Sequence, residues 1–195
     1  AANAARAAYQ TQLAIRYYLR AAQYLPDAGL QKLGVHEALE GTFRMLGRKS
    51  ERVRHLESLR RTAKAIGHPR AAVLALLRTA RFDLDEGRLA HGLPVAKSAA
   101  SLAHSSAYPT FEIEAELLVS ELSREIGVKR WIYISTGGAV YGEPQSLPVR
   151  EDHPINPLSP YGATKHTPAH YLLISHSPYG LGPAGLGYAN IYGPR

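Results

Sequence analysis

The sequence has no cysteine, one methionine, one tryptophan and three phenylalanines in 195 residues. Without cysteine there is no disulfide scaffold, no thiolate metal site and no cysteine nucleophile. Long apolar runs are also missing. The longest clean one, Ala71–Leu77, is far too short to span a bilayer. The opening residues lack the continuous apolar core of a signal peptide. These absences predict a soluble, cytoplasmic chain with no membrane partner. Ala1 in place of Met, and an end at Arg195 straight after a motif, predict a fragment at both ends.

Charge is present in excess but is not concentrated. Lys and Arg number 23 against 16 Asp and Glu, a net +7. Arg48–Lys64 is the densest basic stretch, and Glu51 and Glu57 interrupt it. Nucleic-acid binding calls for a basic face with a groove-reading element or stacking aromatics. The expectation is therefore a solvated Arg-rich helix face and no nucleic-acid partner.

Proline divides the chain near residue 128. Four prolines fall in residues 1–127 and nine in residues 128–195. The first part is rich in Ala, Leu, Arg and Glu, all strong helix formers. Gly47, Gly67, Gly87 and Gly127 stand twenty or forty residues apart, and Ala107 fills the gap. Each interval holds one helix and a turn. Pro69 and Pro109 sit where a first-turn proline is tolerated, and the glycines where a left-handed cap can end a helix. Val73, Leu76, Leu77 and Ala80 follow the spacing of a buried stripe, as do Val53, Leu56, Leu59 and Ala63. Pro94 is expected to kink or delay its helix.

A 40-residue unit of two helices is the signature of an α-solenoid. The segment Glu37–Gly92 resembles the tetratricopeptide-like helical repeats of bacterial regulators and cyclase-linked signalling proteins. The resemblance implies a scaffold whose groove holds a protein or peptide partner. His36, His55, His68, His91 and His104 are scattered, without a pair at metal-ligand spacing, and read as surface or packing residues.

The second part carries chemistry. Val128–Ser135 is a short aromatic and β-branched run closed by Thr136-Gly137-Gly138, the pattern of a buried strand. A proline-rich loop follows, then Ser159-Pro160-Tyr161-Gly162-Ala163-Thr164-Lys165 and a helix to about His176. A further strand is expected near Leu186–Ile191. Tyr161 and Lys165 are four apart and share one helix face. A phenol is a poor base at neutral pH, and a neighbouring ammonium favours its phenolate. Such a tyrosine can exchange a proton with a substrate hydroxyl, oriented by Thr136 or Ser135 at the strand end.

The set STGGAVYG, SPYGATK and YANIYGPR, within Gly127–Arg195, resembles the extended short-chain dehydrogenase/reductase family, closest to UDP-glucose 4-epimerases and related nucleotide-sugar epimerases. The resemblance implies a Rossmann-type sheet, NAD as cofactor and a UDP-sugar as substrate. It implies that Tyr161 takes the sugar 4-hydroxyl proton while hydride passes to NAD. Lys165 would bind the nicotinamide ribose and favour the Tyr161 phenolate. Thr136, with Ser135 as runner-up, would hydrogen-bond the 4-oxygen, and Asn190 would contact the diphosphate. Gly137-Gly138-Ala139 stand where dehydratase cousins carry an Asp-Glu pair.

Other features count against a complete enzyme. Gly180, Gly182 and Gly185 spell the dinucleotide fingerprint, but after a helix and before a strand, the reverse of its working context. Thr167-Pro168 is expected to interrupt the helix after Lys165. His166 and His170 have Pro168 between them and no acid nearby, so no metal site is expected. The predicted fold is mostly α: a helical solenoid over 1–127, then an incomplete α/β Rossmann-type remnant over 128–195. Three readings stand: an inactive piece of a nucleotide-sugar epimerase, a helical-repeat interaction module, or an artificial join of two sequences with no function of its own.

Overall fold

Proline and glycine mark helix ends where the sequence places them. The computed structural model describes residues 2–3, 10–179 and 182–188. The chain divides into two compact units, residues 1–82 and 83–195.

The first unit is helical. It contains α1 (Thr11–Tyr24), α2 (Leu30–Met45), α3 (Lys49–Ile66) and most of α4 (Pro69–Asp85). Pro69 opens α4, where its missing N–H costs no helix bond. Gly67 caps α3 in the left-handed region at φ 66°. Ala14, Ile15 and Tyr18 of α1 pack with Leu39 and Phe43 of α2. The predicted stripes point largely inward: Leu56, Leu59 and Ala63 on α3 are buried and Val53 half-buried, and on α4 Val73, Leu77 and Ala80 are buried and Leu76 half-buried.

The Arg-rich stretch is not wholly a solvated face. Arg52 is buried and pairs with buried Glu40 at 2.6 Å, and its guanidinium lies 4.8 Å from the Phe82 ring centre. Helical periodicity explains the difference. Arg52 and His55 fall on the same side as Leu56 and Leu59, so their position turns them inward and their charge then demands a partner. His36 and His55, 19 residues apart, also meet inside this unit.

The second unit begins with α5 (Leu89–Ser105) and α6 (Pro109–Ile126), which pack on each other. Small Ala99 and Ala103 on α5 and Leu118 and Leu122 on α6 are all buried. α5 is neither delayed nor broken by Pro94, which lies inside it. Ser98 Oγ donates to the Pro94 carbonyl at 2.9 Å, one of the local bonds that hold this turn.

Next come β1 (Arg130–Thr136), the five-residue α7 (Gly137–Tyr141), α8 (Pro160–Tyr179) and β2 (Gly182–Tyr188). The strand starts later than Val128, because the Val128 N–H donates to the Ser123 carbonyl at 3.0 Å and closes the end of α6. β1 and β2 are parallel, with Arg130 opposite Gly182 and Thr136 opposite Tyr188. Parallel neighbours need a crossover, and α8 supplies it. α8 packs on β1, β2 and α6. It runs unbroken through Thr167-Pro168, contrary to expectation. Thr164 Oγ1 and Thr167 Oγ1 cap back to the Pro160 and Ala163 carbonyls, at 2.7 and 3.0 Å, and hold the turns around the proline.

Among the described residues the fold is thus mostly helical with one two-stranded parallel sheet. Gly182 and Gly185 lie inside β2, so the glycine triplet is not a strand-to-helix turn there; Gly180 and Asn190 lie outside the described residues, as does the end of the strand expected to Ile191. No described helix is long and apolar enough to cross a membrane.

Candidate active site

The site is built where α8 begins. Ser159 Oγ accepts the Gly162 N–H at 3.1 Å, and Pro160 takes the first helical position. That is a hydroxyl N-cap followed by a proline whose φ is already helical. Gly162 meets α7 closely: a Cβ there would collide with the Ala139 carbonyl oxygen. This local code fixes the first turn of α8 against the end of β1, and with it Tyr161.

Tyr161 and Lys165 follow one helical turn apart. Tyr161 is half exposed, whereas the Lys165 side chain is only 16% exposed. The Lys165 ammonium lies 6.0 Å from the Tyr161 ring centre and 5.9 Å from that of Tyr133. Ser135 Oγ donates to the Lys165 carbonyl at 3.3 Å, which ties the strand end to the helix. Thr136 is the last residue of β1. Of the five predicted site residues, the structure brings Tyr161, Lys165, Ser135 and Thr136 to one end of the sheet, and Asn190 is outside its described part.

Two further groups were not foreseen. Glu112 of α6 is buried and lies 3.3 Å from the Lys165 Nζ and 3.0 Å from His104 Nδ1. Glu116, one turn on, shares the same cleft of about 600 Å³ with His104, Lys165 and Tyr133. Burial pushes the Glu116 carboxyl up from its ordinary value, with Glu112 adding to the effect and Lys165 opposing it. Burial likewise pushes the Tyr133 phenol up, and Glu116 and Glu112 reinforce it. The spacing of Glu112 and Glu116 puts them on one helix face, the one signal available in the sequence. Nothing local says that Lys165, over fifty positions away, docks on that face. His104, read as a surface or packing residue, is half exposed and engages this carboxylate.

The pyrophosphate of a nicotinamide dinucleotide is ordinarily held at a glycine-rich turn from a strand into a helix. Among the described residues the passage from β1 into a helix is Thr136-Gly137-Gly138, and α7 has only five residues. Lys165 is already engaged by Glu112. These described residues do not by themselves fit the whole dinucleotide.

Comparison with known proteins bears on the same stretch. Residues 87–195 match the model of the NAD dependent epimerase/dehydratase family. The chain belongs to that family. The match reaches back through α5 and α6, further than the Gly127–Arg195 motifs that carry the resemblance. A putative UDP-glucose 4-epimerase of Methanocaldococcus jannaschii is 47% identical over 77 residues, covering 40% of this chain and 25% of the relative. The UDP-glucose 4-epimerase of Mycolicibacterium smegmatis is 38% identical over 86 residues, covering 44% and 28%. A crystal structure of UDP-glucose 4-epimerase with UDP-glucose, from Thermotoga maritima, is 39% identical, covers 48% of this chain and 32% of that one, and has a TM-score of 0.43. The chain thus spans about a quarter of the length of the curated relatives it matches.

Proposed function

We propose that residues 128–195 carry the acid/base part of a nucleotide-sugar 4-epimerase centre of the UDP-glucose 4-epimerase kind. The observation that supports it most is the placement of Tyr161 and Lys165 one turn apart on α8, beside the hydroxyl-bearing end of β1. Tyr161 is the group that exchanges a proton with a sugar hydroxyl. Its exposure leaves the phenolic oxygen open to a substrate. Lys165 is the cation that stands beside Tyr161 in that exchange. Ser135 is committed to the Lys165 carbonyl, so Thr136 is the hydroxyl left to orient the substrate oxygen. Asn190 is assigned to the diphosphate by resemblance alone. NAD is the family's cofactor, and it would supply the redox half of the reaction. The described residues do not hold it whole, so this chain alone does not turn over.

A segment exchange tests the reading. The part of the M. smegmatis enzyme corresponding to residues 128–195 is replaced by these residues, and interconversion of UDP-glucose and UDP-galactose is assayed. The expected chimera is active, and Tyr161→Phe in it lowers kcat by roughly 10²–10⁴-fold, the usual worth of a positioned acid/base group. A folded chimera without activity overturns the assignment. For the unmodified chain, calorimetric titration with NAD is expected to show no micromolar binding. Micromolar binding that weakens in Lys165→Ala would overturn that expectation and point to a cofactor site in this chain.

A further inference from the structure

The first unit holds a cleft that the epimerase reading leaves unused. It has a volume of about 450 Å³ and is lined by Asp27, Lys32, His36, Ser58, Arg61 and Thr62. These come from the loop before α2, from α2 itself and from α3. The lining holds two cations, two hydroxyls and one carboxylate. The carboxylate is the exposed partner: the Asp27 side chain is 91% exposed, whereas that of Lys32 is 15% exposed. Lys32 Nζ donates to Asp27 Oδ1 at 2.6 Å and to the Leu25 carbonyl at 3.1 Å. Arg61 Nη2 donates to Ser58 Oγ at 3.2 Å. An ammonium mostly buried at a cleft wall is thus satisfied by an oxyanion that reaches in from solvent.

His36 reports the field in the cleft. It is buried, with its Nδ1 3.3 Å from His55 Nδ1 and the two rings stacked at 5.5 Å. Its imidazole is pushed down to about 4, first by burial, then by His55, then by Lys32 and Arg61, with Asp27 opposing. The groups facing it are therefore Lys32 on its own helix, His55 and Arg61 from α3, and Asp27 from the preceding loop. Two of these four, Lys32 and Arg61, are cations that favour a negative charge in the cleft, and Asp27 supplies one.

We propose that this cleft binds a small oxyanion, a phosphate group or a carboxylate, which takes the place of Asp27 on Lys32 and is held by Lys32 and Arg61 with Thr62 as hydroxyl donor, the Ser58 proton being given to the Arg54 carbonyl. Binding and protonation are then linked. An anion beside His36 favours its imidazolium, so the bound state takes up a proton that the free state refuses, and the coupling is reciprocal.

Proton uptake gives the test. The whole chain, with labelled histidines, is titrated by NMR between pH 7 and pH 3 with inorganic phosphate, and separately with trifluoroacetate, a carboxylate that stays ionised over this range, at constant ionic strength set by chloride. The His36 midpoint is expected to rise by half a unit or more in at least one anion. Phosphate alone acting assigns a phosphate group, and trifluoroacetate acting assigns a carboxylate. Lys32→Gln and Arg61→Gln are expected to weaken binding at least fivefold each. Asp27→Asn, a change at an exposed side chain that leaves the fold intact, is expected to tighten binding severalfold by removing the internal competitor. A His36 midpoint unmoved by both anions overturns the proposal. So does binding that is unchanged in Asp27→Asn.

Discussion

At the scale of single residues, buried polar groups decide how this chain responds to pH and substitution. His36 is held neutral inside the first unit, and burial pushes His55 down as well. A depressed histidine means that the unfolded chain binds more protons below pH 6.5 than the folded one. Stability is then complete above 6.5 and falls as the pH drops toward the folded value of about 4. For His36 alone the loss by pH 5 is about 2 kcal/mol. Urea unfolding followed by helical circular dichroism at pH 7 and pH 5 measures it, and His36→Gln is expected to flatten the difference. Arg52 and Glu40 obey a different rule, because both are buried and charged. Removing one leaves the other uncompensated, at a cost of about 3–5 kcal/mol. Arg52→Met and Glu40→Leu are each expected to be strongly destabilising. The double variant is expected to recover most of the loss, and a double variant no better than either single would show that the pair is not coupled.

At the scale of elements, the helix ends carry the argument. Ala107 adopts φ 56° at the end of α5, the same left-handed geometry that Gly127 adopts at φ 85° after α6. Alanine there has a Cβ clash that glycine lacks. Ala107→Gly is therefore expected to stabilise by roughly 0.5–1 kcal/mol, and Gly127→Ala to destabilise by about 1 kcal/mol. Space is open around a Cβ at Gly127, so the second effect isolates the backbone term. Thermal unfolding of the two variants checks the signs. The regular spacing of Gly47, Gly67, Gly87 and Gly127 was legible because the cause is local: each is a left-handed residue ending a helix. Ser159-Pro160 at the start of α8 was legible for the same reason. Pro94 and Pro168 were misread because a proline's penalty is local while its compensation comes from packing and from nearby Ser or Thr side chains. The Glu112–Lys165 contact was not legible, since it depends on α8 docking on α6. Arg52 was misread by charge, although its helical position already marked it as inward.

At the scale of the second unit as a whole, the sheet is the exposed element. Parallel sheets are ordinarily covered on both faces. Here Tyr133 faces Ala169 of α8 and Val128 and is buried, while its neighbours Ile132 and Ile134 are 63% and 50% exposed. Their partners across the register are Ala184 and Leu186, and Leu186 is exposed too. Alternation along β1 therefore separates a face covered by α8 from one open to water. Two strands with one covered face have little apolar burial to oppose opening. Amide exchange of the whole chain, resolved along the backbone, is expected to show β1 and β2 exchanging at least tenfold faster than the centre of α3, where Leu59 is fully buried. Substitution sharpens the contrast. Tyr133→Ala removes the buried contact and is expected to cost about 3 kcal/mol or more, whereas Ile132→Thr on the open face is expected to cost under 1 kcal/mol. If β1 amides exchange as slowly as those of α3, and Ile132→Thr costs as much as Tyr133→Ala, then the second face is covered in solution and the one-sided sheet is wrong.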